Sequence, residues 1–136
     1  NLLWQAQNSG IRQVGLIDFQ DAMIGPTAYD LASIVQDARV TIEPELQAHL
    51  LSHYLDSRRN TPSFDEAAFL KAFAIMSAQR NCKLAGIWVR LLERDRKPGY
   101  MKHMPRTFRY LAAALSHPEL EPLRDWCVGM GMEFND

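Results

Sequence analysis

The sequence predicts an α+β fold that is mostly helical, with one short β-hairpin followed by about five helices. Two β-prone runs, residues 2–5 and 11–17, flank the turn signal Gln-Asn-Ser-Gly, in which Gly10 suits a positive φ. From Tyr29 onward the apolar residues recur at helical spacing. A two-stranded hairpin is only marginally stable alone. We therefore expect it to lie against the helices or against another part of the protein.

The helices are predicted in order from their spacing and their first turns. The first follows the Gly25-Pro26 turn and has three or four turns, and the second has Pro44 in its first turn, where a missing N–H does no harm. Two more begin near a proline toward the end of the chain. The predicted bounds of the second, fourth and fifth helices are 43–58, 104–116 and 118–130, with a loop over 94–100.

The third helix is predicted to be the longest. Ser63 and Glu66 have the spacing of a capping box, in which Ser63 caps the helix and Glu66 reaches back. An apolar stripe that includes Phe73, Met76 and Trp88 then extends to about residue 94, and these three side chains are expected in the core.

Composition narrows the class of protein. The 136 residues suit one domain, and 15 Lys and Arg against 16 Asp and Glu give a net charge of −1, which would not gather nucleic acid or an anionic membrane. No apolar run approaches the roughly 20 residues that span a bilayer.

The two cysteines, Cys82 and Cys127, favour a reducing compartment over a disulfide framework, so we expect a cytoplasmic protein. The four histidines lack metal-ligand spacing and are expected at the surface.

Asn1 and Asp18 stand at the two ends of the predicted hairpin. Chain reversal can bring the amide oxygen and the carboxylate together, and oxygen ligands of this kind suit Mg²⁺. From the residues alone, an ordinary turn Asn and strand-end Asp explain the pair better than a metal site does. The motif around them carries more information.

The segment from Asn1 to Val35 resembles the catalytic segment of the aminoglycoside phosphotransferase family, which has a protein-kinase-like fold. The resemblance implies the C-terminal lobe of that fold, with ATP and Mg²⁺ as cofactors. The matching positions are Asn1, Ile17, Asp18, Phe19, Ala22, Gly25, Asp30, Leu31 and Ala32.

The resemblance also implies a role for three of these residues. Asp18 and Asn1 correspond to the ligands of the Mg²⁺ that bridges the ATP phosphates. Asp30 corresponds to a buried carboxylate that fastens the catalytic loop at a helix N-terminus, where the helix dipole favours negative charge. Asp30 is therefore expected as structural support.

The later part of the chain is similar to the amino-sugar kinases of cell-wall recycling, which phosphorylate the anomeric hydroxyl of N-acetylmuramate and N-acetylglucosamine. A sugar or amino-sugar acceptor is thus implied. The shared positions are Gln79, Arg80, Lys83, Gly86, Ile87, Arg90, Leu91, Tyr100, Pro105, Arg106, Tyr110 and Leu111.

Arg80, Asn81 and Lys83 lie within one predicted helical turn. They are candidates for the wall of the sugar site, where they would bind hydroxyls or a lactyl carboxylate. A solvated basic helix face is the alternative.

In the family the catalytic base lies five residues before the Asn, so no residue of this chain is assigned to it. The N-terminal lobe and its phosphate-binding Lys also have no counterpart in the sequence. We expect no appreciable kinase activity from these 136 residues alone, and self-association through the face that the missing lobe would cover.

Two other functions remain open. The fold could serve another alcohol acceptor such as an aminoglycoside, choline or homoserine. A cationic acceptor would need an acidic cleft, and the basic residues Arg80, Lys83, Arg90 and Arg106 argue against one. The chain could also be a non-catalytic helical interaction domain.

Overall fold

The computed structural model describes residues 2–134, apart from the side chain of Asp21. Strand β1, Leu2–Trp4, pairs antiparallel with β2, Val14–Leu16, and Leu2 lies opposite Leu16. Gly10 adopts the positive φ that the turn signal predicts, at 58°. The predicted hairpin is thus confirmed.

Five α-helices follow the hairpin, and together they confirm a mostly helical α+β fold. The first is shorter than expected, at just over two turns, and part of the expected 94–100 loop is a 3₁₀ helix, Pro98–His103. The helices are α1, Ala28–Val35; α2, Pro44–Arg58; α3, Glu66–Glu93; α4, Met104–Leu115; and α5, Glu121–Gly129.

The predicted capping box at the start of α3 is wrong. Asp65 caps the helix, because its Oδ1 accepts the Ala68 N–H at 3.0 Å. Ser63 lies before the cap with φ at 66°, and Glu66 pairs with Arg59 at 3.1 Å instead of reaching back. Since Phe64 packs into the core, the chain must turn at Ser63, and Asp65 is the first capping side chain left in line with the helix.

Helix α3 is the centre of the packing. It contacts α1 and α4 most extensively, while α2 also packs on α1 and α5 on α4. Two apolar clusters fill these contacts. One contains Ala28, Leu55 and Phe69, and the other contains Ala78, Leu111, Ala114, Leu115 and Cys127.

The helices do not cover the hairpin. Trp4 and Leu16 are both about two-thirds exposed, and the segment that follows β2 exposes Phe19, Met23 and Ile24. We call these residues, with the hairpin, the apolar face. It is an unusual amount of large apolar surface for one end of a small domain.

Candidate functional site

Asp18 follows β2 by two residues and holds an uncommon backbone conformation. Its φ and ψ are 60° and 33°, in the left-handed region, and its side chain is exposed. Asp is among the few residues that tolerate this region, and such conformations cluster at functional sites. Gln20 donates its Nε2 to Oδ1 of Asp18 at 2.7 Å. The turn thus presents an oriented carboxylate where the strand ends.

The donor set at Asp18 fits Mg²⁺. Mg²⁺ is bound in proteins by one or two carboxylates together with phosphate oxygens and water, and Asp18 supplies an exposed carboxylate. Within residues 2–134 no three His, Cys, Asp or Glu side chains converge, so a fully protein-made cage is not present there. Asn1 lies outside the described residues, and its pairing with Asp18 stays a prediction.

Asp30 lies in the first turn of α1, where its charge complements the helix dipole. The expectation that it is buried is wrong, since its side chain is exposed. The loop that it is predicted to fasten corresponds to positions at and before Asn1, which are outside the described residues. Its anchoring role therefore stays a prediction.

A second polar region is built on residues 36–43, here called the α1–α2 loop. Two neighbouring residues of α3 hold its first residue, Gln36. Arg80 donates Nη1 to the Gln36 backbone oxygen at 2.8 Å, and Asn81 donates Nδ2 to Gln36 Oε1 at 2.9 Å. Both contacts span more than 40 positions of sequence, so they fix the end of α1 against α3.

Helix α4 and the loop itself supply the remaining restraints. Arg106 donates Nη2 to Thr41 Oγ1 at 2.8 Å and Nη1 to the Ala38 oxygen at 3.4 Å. Asp37 Oδ1 accepts the backbone N–H groups of Arg39 and Val40 at 2.7 and 2.6 Å. The loop backbone is therefore held from two helices and from within.

An open cleft of about 430 Å³ lies between this loop and α3. The loop contributes Asp37, Ala38 and Arg39. Helix α3 and Tyr100 contribute mostly apolar side chains, here called the apolar wall, together with Arg80. A mixture of apolar and a few polar groups is usual in a small-molecule site. The lining residues are Asp37, Ala38, Arg39, Arg80, Leu84, Ile87, Trp88, Leu91 and Tyr100.

A stacked aromatic pair stabilises the apolar wall. The rings of Trp88 and Tyr100 lie 5.7 Å apart and within 13° of parallel. Trp88 is buried, as expected for a core residue, and its Nε1 donates to Thr107 Oγ1 at 2.9 Å. Because that hydrogen bond fixes the indole, Tyr100 has a rigid surface to stack on.

The cleft carries two guanidinium groups and one carboxylate. Burial lowers the pKa of Arg80, against the opposing influence of Tyr29, Asp37 and Tyr110. Arginine nevertheless stays protonated at neutral pH. Two arginines and one acidic residue line the cleft, so basic side chains predominate among its charged groups.

The three predicted substrate-binding residues have three different positions. Arg80 lines the cleft, Asn81 is completely buried beside Gln36, and Lys83 is exposed away from the cleft lining. In this geometry Asn81 contacts Gln36 and does not line the cleft, and its substrate-binding role stays a prediction. The helical period explains the difference, because adjacent residues on α3 point about 100° apart.

Sequence reasoning missed Asp37 and Arg39 and gave Tyr100 no role. The stretch Gln-Asp-Ala-Arg directly after an apolar helix was the available signal for the first two. The prediction of surface histidines also fails at His103, which is buried beside Trp88 and Tyr100 at ring distances of 5.4 and 6.4 Å.

A two-stranded hairpin that leads into Asp18 and is followed by five helices matches the C-terminal lobe of a kinase-like fold. Residues 1–70 match the model of the phosphotransferase enzyme family, and the chain belongs to that family. No helix among the described residues has the length and apolar character needed to cross a bilayer.

Three curated relatives share one name, N-acetylmuramate/N-acetylglucosamine kinase. The chain is 38% identical to the one from Caulobacter vibrioides over 93% of its length, and 40% and 39% identical to those from Pseudomonas aeruginosa and Neisseria meningitidis over 80%. It spans about a third of each relative, between 33% and 34%.

Proposed function

We propose that the chain is the C-terminal part of an ATP- and Mg²⁺-dependent kinase that phosphorylates a hydroxyl of N-acetylmuramate or N-acetylglucosamine. The observation that carries the proposal is the similarity over 80–93% of the chain to kinases named for these two sugars. The cleft supports it, because a sugar suits an aromatic wall facing charged hydrogen-bonding groups. We place the protein in the cytoplasm.

In this proposal Asp18 holds the metal, with Asn1 as its predicted partner. When bound, Mg²⁺ neutralises charge on the ATP phosphates. The left-handed turn orients the Asp18 carboxylate, and the Gln20 amide keeps one of its oxygens in place. Asp30 supports the loop that carries the base. No residue of this chain is assigned as that base.

The acceptor occupies the cleft between the α1–α2 loop and α3. Asp37 accepts hydrogen bonds from sugar hydroxyls through the oxygen that the loop backbone does not use, and Arg80 donates to the sugar from its free N–H groups. The Trp88–Tyr100 pair excludes water from the apolar face of the ring. Holding the acceptor rigidly matters because phosphoryl transfer depends mainly on positioning and charge stabilisation.

The experiment is ADP release by the full-length protein, with N-acetylmuramate, N-acetylglucosamine, glucose, choline and kanamycin assayed side by side. We expect turnover with the two N-acetyl sugars and its loss in Asp18→Asn. Asn tolerates the left-handed conformation, so this variant tests the charge and not the fold. Turnover only with choline or kanamycin would agree with the phosphotransferase family but would reject an N-acetyl sugar as the acceptor.

A second candidate function is a helical interaction domain, and the apolar face favours it. Ile24 is fully exposed and Met23 is 91% exposed. Sedimentation of the 136-residue chain, compared with a Met23→Ser/Ile24→Ser variant, tests self-association. A monomer at micromolar concentration in both forms would remove the support for this candidate.

A further inference from the structure

Arg39 is the cleft residue whose side chain the fold leaves unused. Its side chain is exposed, and its guanidinium makes no hydrogen bond or ion pair with any of residues 2–134. The other two arginines of this region differ, since Arg80 and Arg106 each donate a hydrogen bond to the α1–α2 loop. A cation available to a ligand therefore projects from the loop wall.

The backbone of Arg39 is nonetheless fixed. Its N–H donates to Asp37 Oδ1 at 2.7 Å, and the residues on either side are restrained by Arg106 and by the Asp37 turn. Because the backbone of Arg39 is fixed and its guanidinium is available, the side chain can bind a ligand without reorganising the loop. Such preorganisation lowers the entropy that binding must overcome.

The charge of the cleft suits an acidic acceptor. Arg39 and Arg80 outnumber the single carboxylate of Asp37 among its lining residues. The two sugars in the relatives' name differ by one ionised group, because N-acetylmuramate carries a lactyl ether that ends in a carboxylate. Arginine binds carboxylates with two parallel hydrogen bonds, more strongly than it binds hydroxyls.

We propose that Arg39 is a specificity-determining residue that binds the lactyl carboxylate of the acceptor and so favours N-acetylmuramate over N-acetylglucosamine. This inference rests on the proposed function. Arg80 contributes equally to both sugars, since one of its N–H groups is bonded to Gln36 and the others donate to hydroxyls that both sugars carry. Arg39 acts on the acid sugar alone.

The test measures kcat/KM of the full-length protein and of Arg39→Ala with three acceptors, namely N-acetylmuramate, its methyl ester and N-acetylglucosamine. We expect Arg39→Ala to lower kcat/KM for N-acetylmuramate by about 10- to 50-fold, the range of a charge-assisted hydrogen bond, and to change the two neutral acceptors by less than about 3-fold. Arg39→Lys should recover part of the loss. Arg109→Ala, an exposed arginine outside the cleft lining, is the matched control and should change none of them.

Equal losses for all three acceptors, or no loss for N-acetylmuramate, would overturn the assignment while leaving the proposed function intact. Absence of turnover with both sugars in the unmodified protein would reject the proposed function and the role of Arg39 with it. The two failures are therefore distinguishable in one experiment.

Discussion

Asn81 donates its side-chain amide to the side-chain oxygen of Gln36 over 2.9 Å, and both residues are buried. The second hydrogen of the same amide reaches the Ser77 backbone oxygen, also at 2.9 Å. Asn81, the neighbour of Arg80 in sequence, thus joins α3 to the end of α1. The wall of the cleft depends on this internal contact.

Asn81→Ala should destabilise the chain by about 1–2 kcal/mol. The substitution leaves Gln36 Oε1 buried without its donor, which costs about 1–3 kcal/mol. It also removes Asn81 Oδ1, a buried oxygen that has no partner within residues 2–134, so part of the loss is offset. Urea unfolding measures the change, with exposed Lys83→Ala as a control expected within about 0.5 kcal/mol. If Asn81→Ala left the stability unchanged but abolished the activity of the full-length protein, Asn81 would be a ligand-binding residue.

Arg106→Met should loosen the α1–α2 loop without unfolding the helices. The loss of the hydrogen bond to Thr41 and of the longer one to Ala38 removes about 1 kcal/mol of local restraint. Trypsin cleavage after the exposed Arg39 reports that opening, and its initial rate should rise about 5-fold. Arg109→Met is the matched control. A cleavage rate in Arg106→Met that equals the rates of Arg109→Met and of the unmodified chain would show that Arg106 does not restrain the loop.

His103 should lower the free energy of unfolding as the solution becomes mildly acidic. Burial first, and then the positive charges of Lys102, Arg106 and Arg39, lower its pKa below the ordinary 6.5, while Asp37 opposes them. The unfolded state therefore binds a proton that the folded state resists. The stabilisation is complete above pH 6.5 and is lost as the pH falls through 6.5 toward the lower folded-state pKa.

The check is the urea midpoint of the chain and of His103→Gln between pH 7.5 and 5.5. The difference between the two proteins should shrink or reverse as the pH falls, because Gln cannot gain the proton. A constant difference across this range would mean that His103 does not titrate differently on folding.

Tyr100→Ala should weaken acceptor binding, while Tyr100→Phe should not. Tyr100 contributes a ring that stacks on Trp88 at 5.7 Å, and phenylalanine keeps that ring. Loss of the ring exposes the apolar wall, so we expect KM for both N-acetyl sugars to rise about 5- to 20-fold, equivalent to roughly 1–2 kcal/mol. Steady-state kinetics of the full-length protein measure it. A comparable rise in Tyr100→Phe would move the role from the ring to the hydroxyl.

The sequence predicted the elements of this fold well because their signals are local. The hairpin turn is set by Gly10 and the start of α2 by Pro44, and both act within a few residues. The prediction of the residue that caps α3 was wrong because Ser63 and Asp65 are both residue types that cap helices well. Tertiary packing of Phe64 decided between them.

The site was predictable only in part, for a similar reason. Spacing within one helix identified Arg80, but it could not show that Asn81 points inward to Gln36, a residue 45 positions earlier. Arg39 was missed because its importance comes from the cleft that the loop and α3 make together. Contacts of that range follow from the folded structure and not from local pattern.

The most direct test of the central claim is calorimetric titration of ATP into the full-length protein, with and without Mg²⁺, in the unmodified form and in Asp18→Asn. We expect Mg²⁺-dependent binding that the Asp18→Asn variant weakens by at least about tenfold, since a carboxylate ligand of Mg²⁺ is replaced by a neutral amide. Equal, metal-independent titrations of the two proteins would contradict it and show that the Asp18 turn does not hold a metal on ATP.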